Sequence, residues 1–350
     1  MLQHVHSVLQ SADLRFCQSE GTYAESGSMG SSGLRGAGPN DPRGYPAFRD
    51  GKFDIVSMAS NHTMDWGQDA LLETIEKMRA DGSRTIGAGR DIVEARTPAI
   101  VEVNGTTIGF LGYCSVAPKS YYAVEGRTGV APMRAITHYE PVEDDQPGTP
   151  CEILTWPLAR DLEALVDDVE KLRRKVDVVV VSLHWGVHHI PALIADYQPV
   201  VAHAAIDAGA DLILGHHAHI PKGVEVYNGK VIFYGIGNFA LDFNEGRKPD
   251  VAWKEGVKAV YRKFGTPGPG EYRQKLEANF GLMIEVEFGD GLISDVGMRP
   301  VRINSNKEPV PVSASDPEGA EVIGYIEHIS REAGLGASFE IDGEIARVKA

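Results

Sequence analysis

DLILGHHAHIPKGVEVYNGKVIFYGIGNF, residues 211–239, opens with a short apolar run that stops at His216-His217-Ala218-His219. Two more apolar runs follow around Asn228-Gly229, a pairing that favours a two-residue hairpin turn. Upstream, VDVVVVSLH (176–184) is continuously apolar, as expected of a strand buried on both faces, and it also ends in histidine. FDIVSMA (53–59) is a third such run, followed by SNHTMDWG. Helical periodicity lies between these runs. In QDALLETIEKMRADG (68–82), Ala70, Leu71, Ile75 and Met78 form one stripe. PLARDLEALVDDVEKLRRK (157–175) is acidic early and basic late, as the helix macrodipole favours. ALIADYQPVVAHAAIDAG (192–209) reads as a helix with an irregularity at Pro199.

Hairpins are expected at 98–113 around Asn104-Gly105 and at 281–303 around Gly289-Asp290-Gly291. Residues 27–51 read as a long Gly/Ser/Pro loop, and 115–152 as irregular chain. Residues 241–279, with TPGPG at 266–270, read as an excursion serving as a lid or an oligomer contact. A C-terminal helix should start at SDPEG, capped by Ser315 or Asp316, in an extension spanning 315–350. Strands interleaved with helices and hairpins predict a layered α/β sandwich rather than a purely parallel doubly wound sheet. One domain over 1–350 is expected.

Of the chain's twelve histidines, seven fall between His184 and His219. In α/β folds, functional groups gather just beyond the carboxyl ends of strands. Three strand ends here deliver Asn61, His62, Asp65, His184, His216, His217 and His219. Their nitrogen and oxygen donors suit Mn, Zn, Fe, Ni or Co, so one or two divalent metal ions are the expected cofactor. Taken singly, each motif has a plain structural explanation: Asn-His after a strand is ordinarily a turn, and His-Trp is ordinarily packing. In an extended segment, His217 and His219 would point to one side and His216 away. His188 and His189 could line the pocket. His4 and His6 read as surface residues of an N-terminal helix. His138, His203 and His328 have no expected catalytic part.

The 350 residues carry 34 Lys+Arg against 49 Asp+Glu, a net charge of −15. That balance argues against nonspecific nucleic-acid binding. It leaves room for a small anionic substrate, because a bound metal reverses the local field. Cys17, Cys114 and Cys151 are too few and scattered for a disulfide framework and read as reduced thiols. No run approaches the roughly 20 apolar residues of a membrane span, and the first residues lack a signal-peptide core. The expected location is cytoplasmic, and a longer gene start carrying a membrane segment would reverse this.

Together SADLRFCQSEGTY, SNHTMDWG, GAGRDIVEARTPAIVEVNG, SLHWGVHH and DAGADLILGHHAHIPKGVEVYNGKVIFYGIGNF resemble the capsule-synthesis CapA family of poly-γ-glutamate biosynthesis, over roughly residues 8–242. That family is similar to the calcineurin-like metallophosphoesterases. The resemblance implies their four-layer α/β/β/α sandwich and a pair of divalent metals. It implies that Glu20, Asn61, His184, His217 and His219 are metal ligands, with a one-residue register question between His216 and His217. It implies that His62 gives a proton to the leaving group, with Asp65 orienting it, and that Asn238 sits beside the site, contacting substrate or holding a loop. Two features depart from the family. Members begin with a strand ending in Gly-Asp, and this chain starts after it, which should leave His219 without its usual acidic partner. The usual Glu after His-Trp-Gly-Val is His188, which should alter the pocket's charge.

Three functions are consistent with this reading. The first is a metal-dependent hydrolase acting on a phosphoester, amide or lactone. The second is a polyglutamate-binding or capsule-assembly component without turnover. The third is a chain that binds no metal because its first motif is missing.

Overall fold

The computed structural model describes residues 1–28, 42–146, 148–240 and 276–349. A three-stranded parallel sheet is made by β1 (Phe16–Gln18), β2 (Ile55–Ser57) and β3 (Arg84–Ile86). The two-residue β4 (Ala88–Gly89) follows. The first hairpin is β5 (Ala99–Val103) and β6 (Thr106–Cys114), and β7 (Gly129–Val130) pairs back onto β4. β8 (Ala135–Pro141) and β9 (Cys151–Pro157) form a separate two-stranded ribbon. Next come β10 (Val178–His184), β11 (Leu212–His216) and the hairpin β12 (Val224–Tyr227) and β13 (Lys230–Phe233). These four join β5 and β6 in a six-stranded sheet ordered β12-β13-β11-β10-β6-β5, whose four inner strands are parallel. A further sheet contains β14 (Phe280–Gly289), β15 (Leu292–Ile303), β16 (Pro309–Pro311), β17 (Ser338–Asp342) and β18 (Ile345–Lys349).

Strand pleating distributes one sequence between two cores. In β10, Val179, Val181 and Leu183 face one side, and Val178 and Val180 face the other; all five are buried. The same division places Leu111, Ile213 and Ile232 in the first core and Phe110, Leu212, Leu214 and Phe233 in the second. Helices α1 (His6–Ser11), α2 (Pro46–Gly51), α3 (Gly67–Ala80), α4 (Ile92–Ala95), α5 (Ala159–Arg173), α6 (Tyr197–Asp207) and α7 (Pro317–Glu332) surround the sheets. Leu165, Val169 and Leu172 of α5 and Val201 and Ala205 of α6 cover the first face. On the second face lie Ile55 and Ile86 of the three-stranded sheet, together with Phe280, Leu282, Val296 and Met298 of the C-terminal sheet. The far side of β2 is closed by Leu71, Ile75 and Met78 of α3 and by Val5 and Leu9 of α1. The order is therefore helix, sheet, sheet, helix, which is the expected four-layer sandwich. Among the described residues no helix is long and apolar enough to cross a membrane.

Several expectations need correction. Residues 115–152 are not irregular throughout, because β7, β8 and the first two residues of β9 lie there. Ile136, Tyr139, Ile153 and Trp156 on that ribbon are exposed. Without a buried face, the ribbon leaves no alternating core pattern to read. The 27–51 loop contains α2 at its end, while 29–41 lies outside the described residues. The 192–209 helix starts only at Tyr197. Pro199 falls in its first turn, where an N–H has no partner within the helix, so it causes no kink. Most of the 241–279 excursion also lies outside the described residues. At the C-terminus Asp316 is the cap residue of α7, although its side chain makes no capping bond.

β11 reaches the candidate site through a close backbone approach. A Cβ on Gly215 would lie 2.4 Å from the Tyr234 carbonyl oxygen. The Phe233 carbonyl oxygen would lie 2.5 Å away, and both neighbours are main chain and cannot swing aside. Gly215→Ala should therefore cost about 1–3 kcal/mol, read as a lower urea midpoint with an unchanged slope.

Candidate metal centre

The strand ends create the site. Ser19 N–H donates to the Ser57 carbonyl at 2.9 Å, which sets the β1 exit beside the β2 exit. Ser60 then joins the two loops: its hydroxyl donates to the Glu20 carbonyl at 3.0 Å and accepts the His62 N–H at 3.0 Å. In the other sheet, His184 is level with His216 in the parallel register. The segment beyond β11 is not extended, contrary to expectation. His217 and His219 have φ of 87° and 58°, and His189, which donates its N–H to Ala218, has φ of 57°. Left-handed backbone at non-glycine residues costs of order 1 kcal/mol or more and is concentrated at functional sites. Here it turns His217 and His219 into one cleft, while the His216 ring lies against Phe16. His217, not His216, joins the cluster.

Glu20, His184 and His217 each offer a ligand atom, and the three atoms lie within 4.8 Å of one another. Asn61 Oδ1 is 2.8 Å from His184 Nε2. Glu20 Oε1 lies 3.9 Å from His184 Nε2 and 3.2 Å from His219 Nε2, so His219 does have an acidic neighbour, Glu20. Asn238 fixes the other edge of His219. Its amide Nδ2 donates to the His219 and Ala278 carbonyls, and its Oδ1 accepts from His219 Nδ1 at 2.9 Å. A neutral His219 then turns the lone pair of Nε2 toward a carboxylate oxygen. That contact is repulsive unless a proton or a cation lies between them. Among the described residues, the Nδ1 atoms of His184 and His217 are buried with no hydrogen-bond partner. Buried polar atoms are ordinarily satisfied, so the donor set fits a divalent cation.

The electrostatics agree with the geometry. Burial lowers the His184 imidazole to about 3 and His216 to about 4, against the pull of Glu20. Burial, then His188 and His184, holds His217 well below its ordinary value. Burial alone would raise the Glu20 carboxyl, but His219, His184 and His62 outweigh it and hold it below the usual carboxylate range. The buried imidazoles are therefore neutral at pH 7, the form that ligates metals.

The remaining expected residues surround this centre. His62 Nδ1 lies 2.7 Å from Asp65 Oδ2. The His188 ring centroid is 3.9 Å from that of His217, and His189 is stacked between the distances of 5.2 Å to His188 and 5.5 Å to His219. Two residues were not legible in the motifs. Tyr121 donates its hydroxyl to Asp65 Oδ1 at 2.9 Å. Lys222 is fully buried, its Nζ donates to the Ile190 carbonyl, and burial lowers it to about 7. Tyr121 lies in chain read as irregular, and a lysine one residue after a proline carries no pattern, so neither gave a signal.

The model of the bacterial capsule synthesis protein family, PGA_cap, matches residues 1–243. The chain belongs to this family. The PGA_cap chain is 32% identical over 220 residues to the PGA biosynthesis protein CapA of Bacillus subtilis, covering 63% of this chain and 50% of that protein. It is 27% identical over 210 residues to the capsule biosynthesis protein CapA of Bacillus anthracis, covering 59% and 44%. It thus spans about half the length of the curated relatives it matches. Among solved structures it is similar to the calcineurin-like phosphoesterase YfkN from Bacillus subtilis, with 15% identity, coverage of 86% and 75%, and a TM-score of 0.36.

The depressed imidazoles determine an acid response. An unfolded chain binds protons on His184 and His216 near pH 6.5, whereas the folded chain does so only near 3 and 4. Their contribution to stability is fully present above pH 6.5 and is lost as pH falls through the window below it. The metal-free protein should lose up to about 1.4 kcal/mol per histidine per pH unit. Urea midpoints at pH 7, 6 and 5 should fall steadily, and a flat profile would contradict the assignment.

Proposed function

We propose that this PGA_cap chain is a metal-dependent hydrolase. Glu20, Asn61, His184, His217 and His219 would hold one or two divalent ions. The observation that supports this most directly is that the buried Nδ1 atoms of His184 and His217, close to the Glu20 carboxylate, have no hydrogen-bond partner among the described residues. A divalent metal supplies Lewis-acid activation of water at neutral pH. His62, with Asp65 on Nδ1, gives a proton to the leaving atom. His188 and His189 contact the substrate, and Asn238 holds His219 in place. The substrate is a phosphoester, amide or lactone with anionic character. The name PGA biosynthesis protein of one relative favours γ-glutamyl compounds within that range.

The same name supports a second reading, a component that binds polyglutamate without cleaving it. Turnover separates the two. Purified protein should contain at least one equivalent of divalent metal by elemental analysis. It should hydrolyse some member of a panel of phosphomonoesters, phosphodiesters, γ-glutamyl amides and lactones with Mn, Zn, Fe, Ni or Co. Binding of polyglutamate with no product under any metal would favour the second reading.

Two substitutions test the roles. His62→Ala should keep its metal and lose about 10²-fold or more in turnover, so stoichiometric metal loss would contradict the proton-donor role. His217→Ala should lower bound metal below one equivalent while the far-ultraviolet dichroism is unchanged.

A further inference from the structure

We propose that Tyr121 is a positioning residue for His62, acting through Asp65. The proposal rests on the reading of His62 as proton donor. Asp65 uses both carboxylate oxygens: Oδ2 faces His62 Nδ1 at 2.7 Å, and Oδ1 accepts the Tyr121 hydroxyl at 2.9 Å. A carboxylate held at one oxygen still turns about its terminal torsion, which has broad wells. The second bond fixes the carboxylate plane and, through Nδ1, the ring of His62. Asp65 and Tyr121 are 8% and 6% exposed, so bulk water is a poor substitute for the hydroxyl. With Nδ1–H donated to Asp65, Nε2 is the nitrogen left to face a leaving group.

The support comes from a separate part of the chain. Asp65 and His62 share one loop, and the Asp65 N–H also returns to the His62 carbonyl at 3.2 Å. Tyr121 belongs to a 3-10 turn at Lys119–Tyr121, beyond β6. That connection starts at Ser115, whose N–H donates to the His184 carbonyl at 2.9 Å. Tyr121 therefore ties the loop of the proton donor to a segment anchored on the candidate ligand strand. The adjacent Tyr122 has different work: its hydroxyl accepts the Ala117 N–H at 3.2 Å. This gives a matched control within two neighbouring tyrosines.

The first test is nitrogen-15 histidine NMR on the full metal-loaded chain. His62 should carry a proton on Nδ1 with a downfield, slowly exchanging resonance. Tyr121→Phe should shift or broaden that resonance, and Tyr122→Phe should leave it in place. On substrates, Tyr121→Phe should lower kcat about tenfold for an alkoxide leaving group, where a proton is needed, and little for p-nitrophenoxide. Metal content and KM should be unchanged. A proton on Nε2 alone in the native chain, an unmoved resonance in Tyr121→Phe, or equal loss on both leaving groups would overturn the proposal. If no substrate is cleaved, the hydrolase reading fails, and the resonance still decides what Tyr121 does. If Tyr121→Phe does not fold, 3-fluorotyrosine incorporation replaces it. Its more acidic hydroxyl should move the His62 resonance, and an unchanged resonance would overturn the proposal.

Discussion

The candidate site depends on how closely the two sheets approach at the level where their strands end. The Ser57 hydroxyl lies 3.2 Å from that of Ser182 across the interface. Gly112, in the neighbouring strand, has no side chain there; a Cβ would lie 3.1 Å from Ser57 Oγ. Small residues at this level let β2 lie over β6 and β10 without a gap. Asn61 lies four residues beyond Ser57 and His184 two beyond Ser182, so the two loops meet, with the amide 2.8 Å from the imidazole. A larger residue at Ser57, Gly112 or Ser182 would separate the sheets and pull these donors apart, although none of the three belongs to the proposed ligand set.

The same approach explains the protonation pattern. Four-layer burial dehydrates His184, His216 and His217, which favours their neutral forms. Glu20 sits at the edge of this dehydrated region, within reach of several imidazoles. A carboxylate beside the neutral imidazoles of His184 and His217, whose Nδ1 atoms have no hydrogen-bond partner among the described residues, is an unfavourable arrangement for a protein alone. It becomes favourable with a cation, and the left-handed conformations of His217 and His219 are a second cost that a bound ion would offset. Stability and ligand binding draw on the same few residues, so acid should affect both.

Much of this was legible in the sequence because the information is local and periodic. VDVVVVSLH reads as a strand covered on both faces, and the structure buries Val179 in one core and Val180 in the other. Asn-Gly turns fixed the hairpins at 104–105 and 228–229. Histidines placed after buried strands identified the cluster, since parallel strands end at one edge. What escaped had no periodicity. The β8–β9 ribbon buries little and so lacks a core face. The conformation of His217 and His219 arises from tertiary contacts, and an extended reading put both rings on one side for the wrong reason. Tyr121 meets Asp65 across 56 positions of sequence, and no local pattern encodes such a pair.

His188 stands where the resemblance leads one to expect an acid, which bears on the proposed substrate. Among the described residues, Glu20 is the one carboxylate in the group that includes His184 and His217. One dication held there by one carboxylate and neutral donors leaves a net positive centre. An acid at 188 would have cancelled that charge, whereas an imidazole 3.9 Å from His217 leaves it in place. The chain as a whole carries −15, which would repel a polyanion at long range. Salt screens that repulsion beyond roughly 8 Å, while the field within the cleft acts at contact distance. The proposed centre would therefore select a short anionic group that reaches the cleft, with His188 and His189 as neutral partners, over a long polyanion lying along the acidic surface.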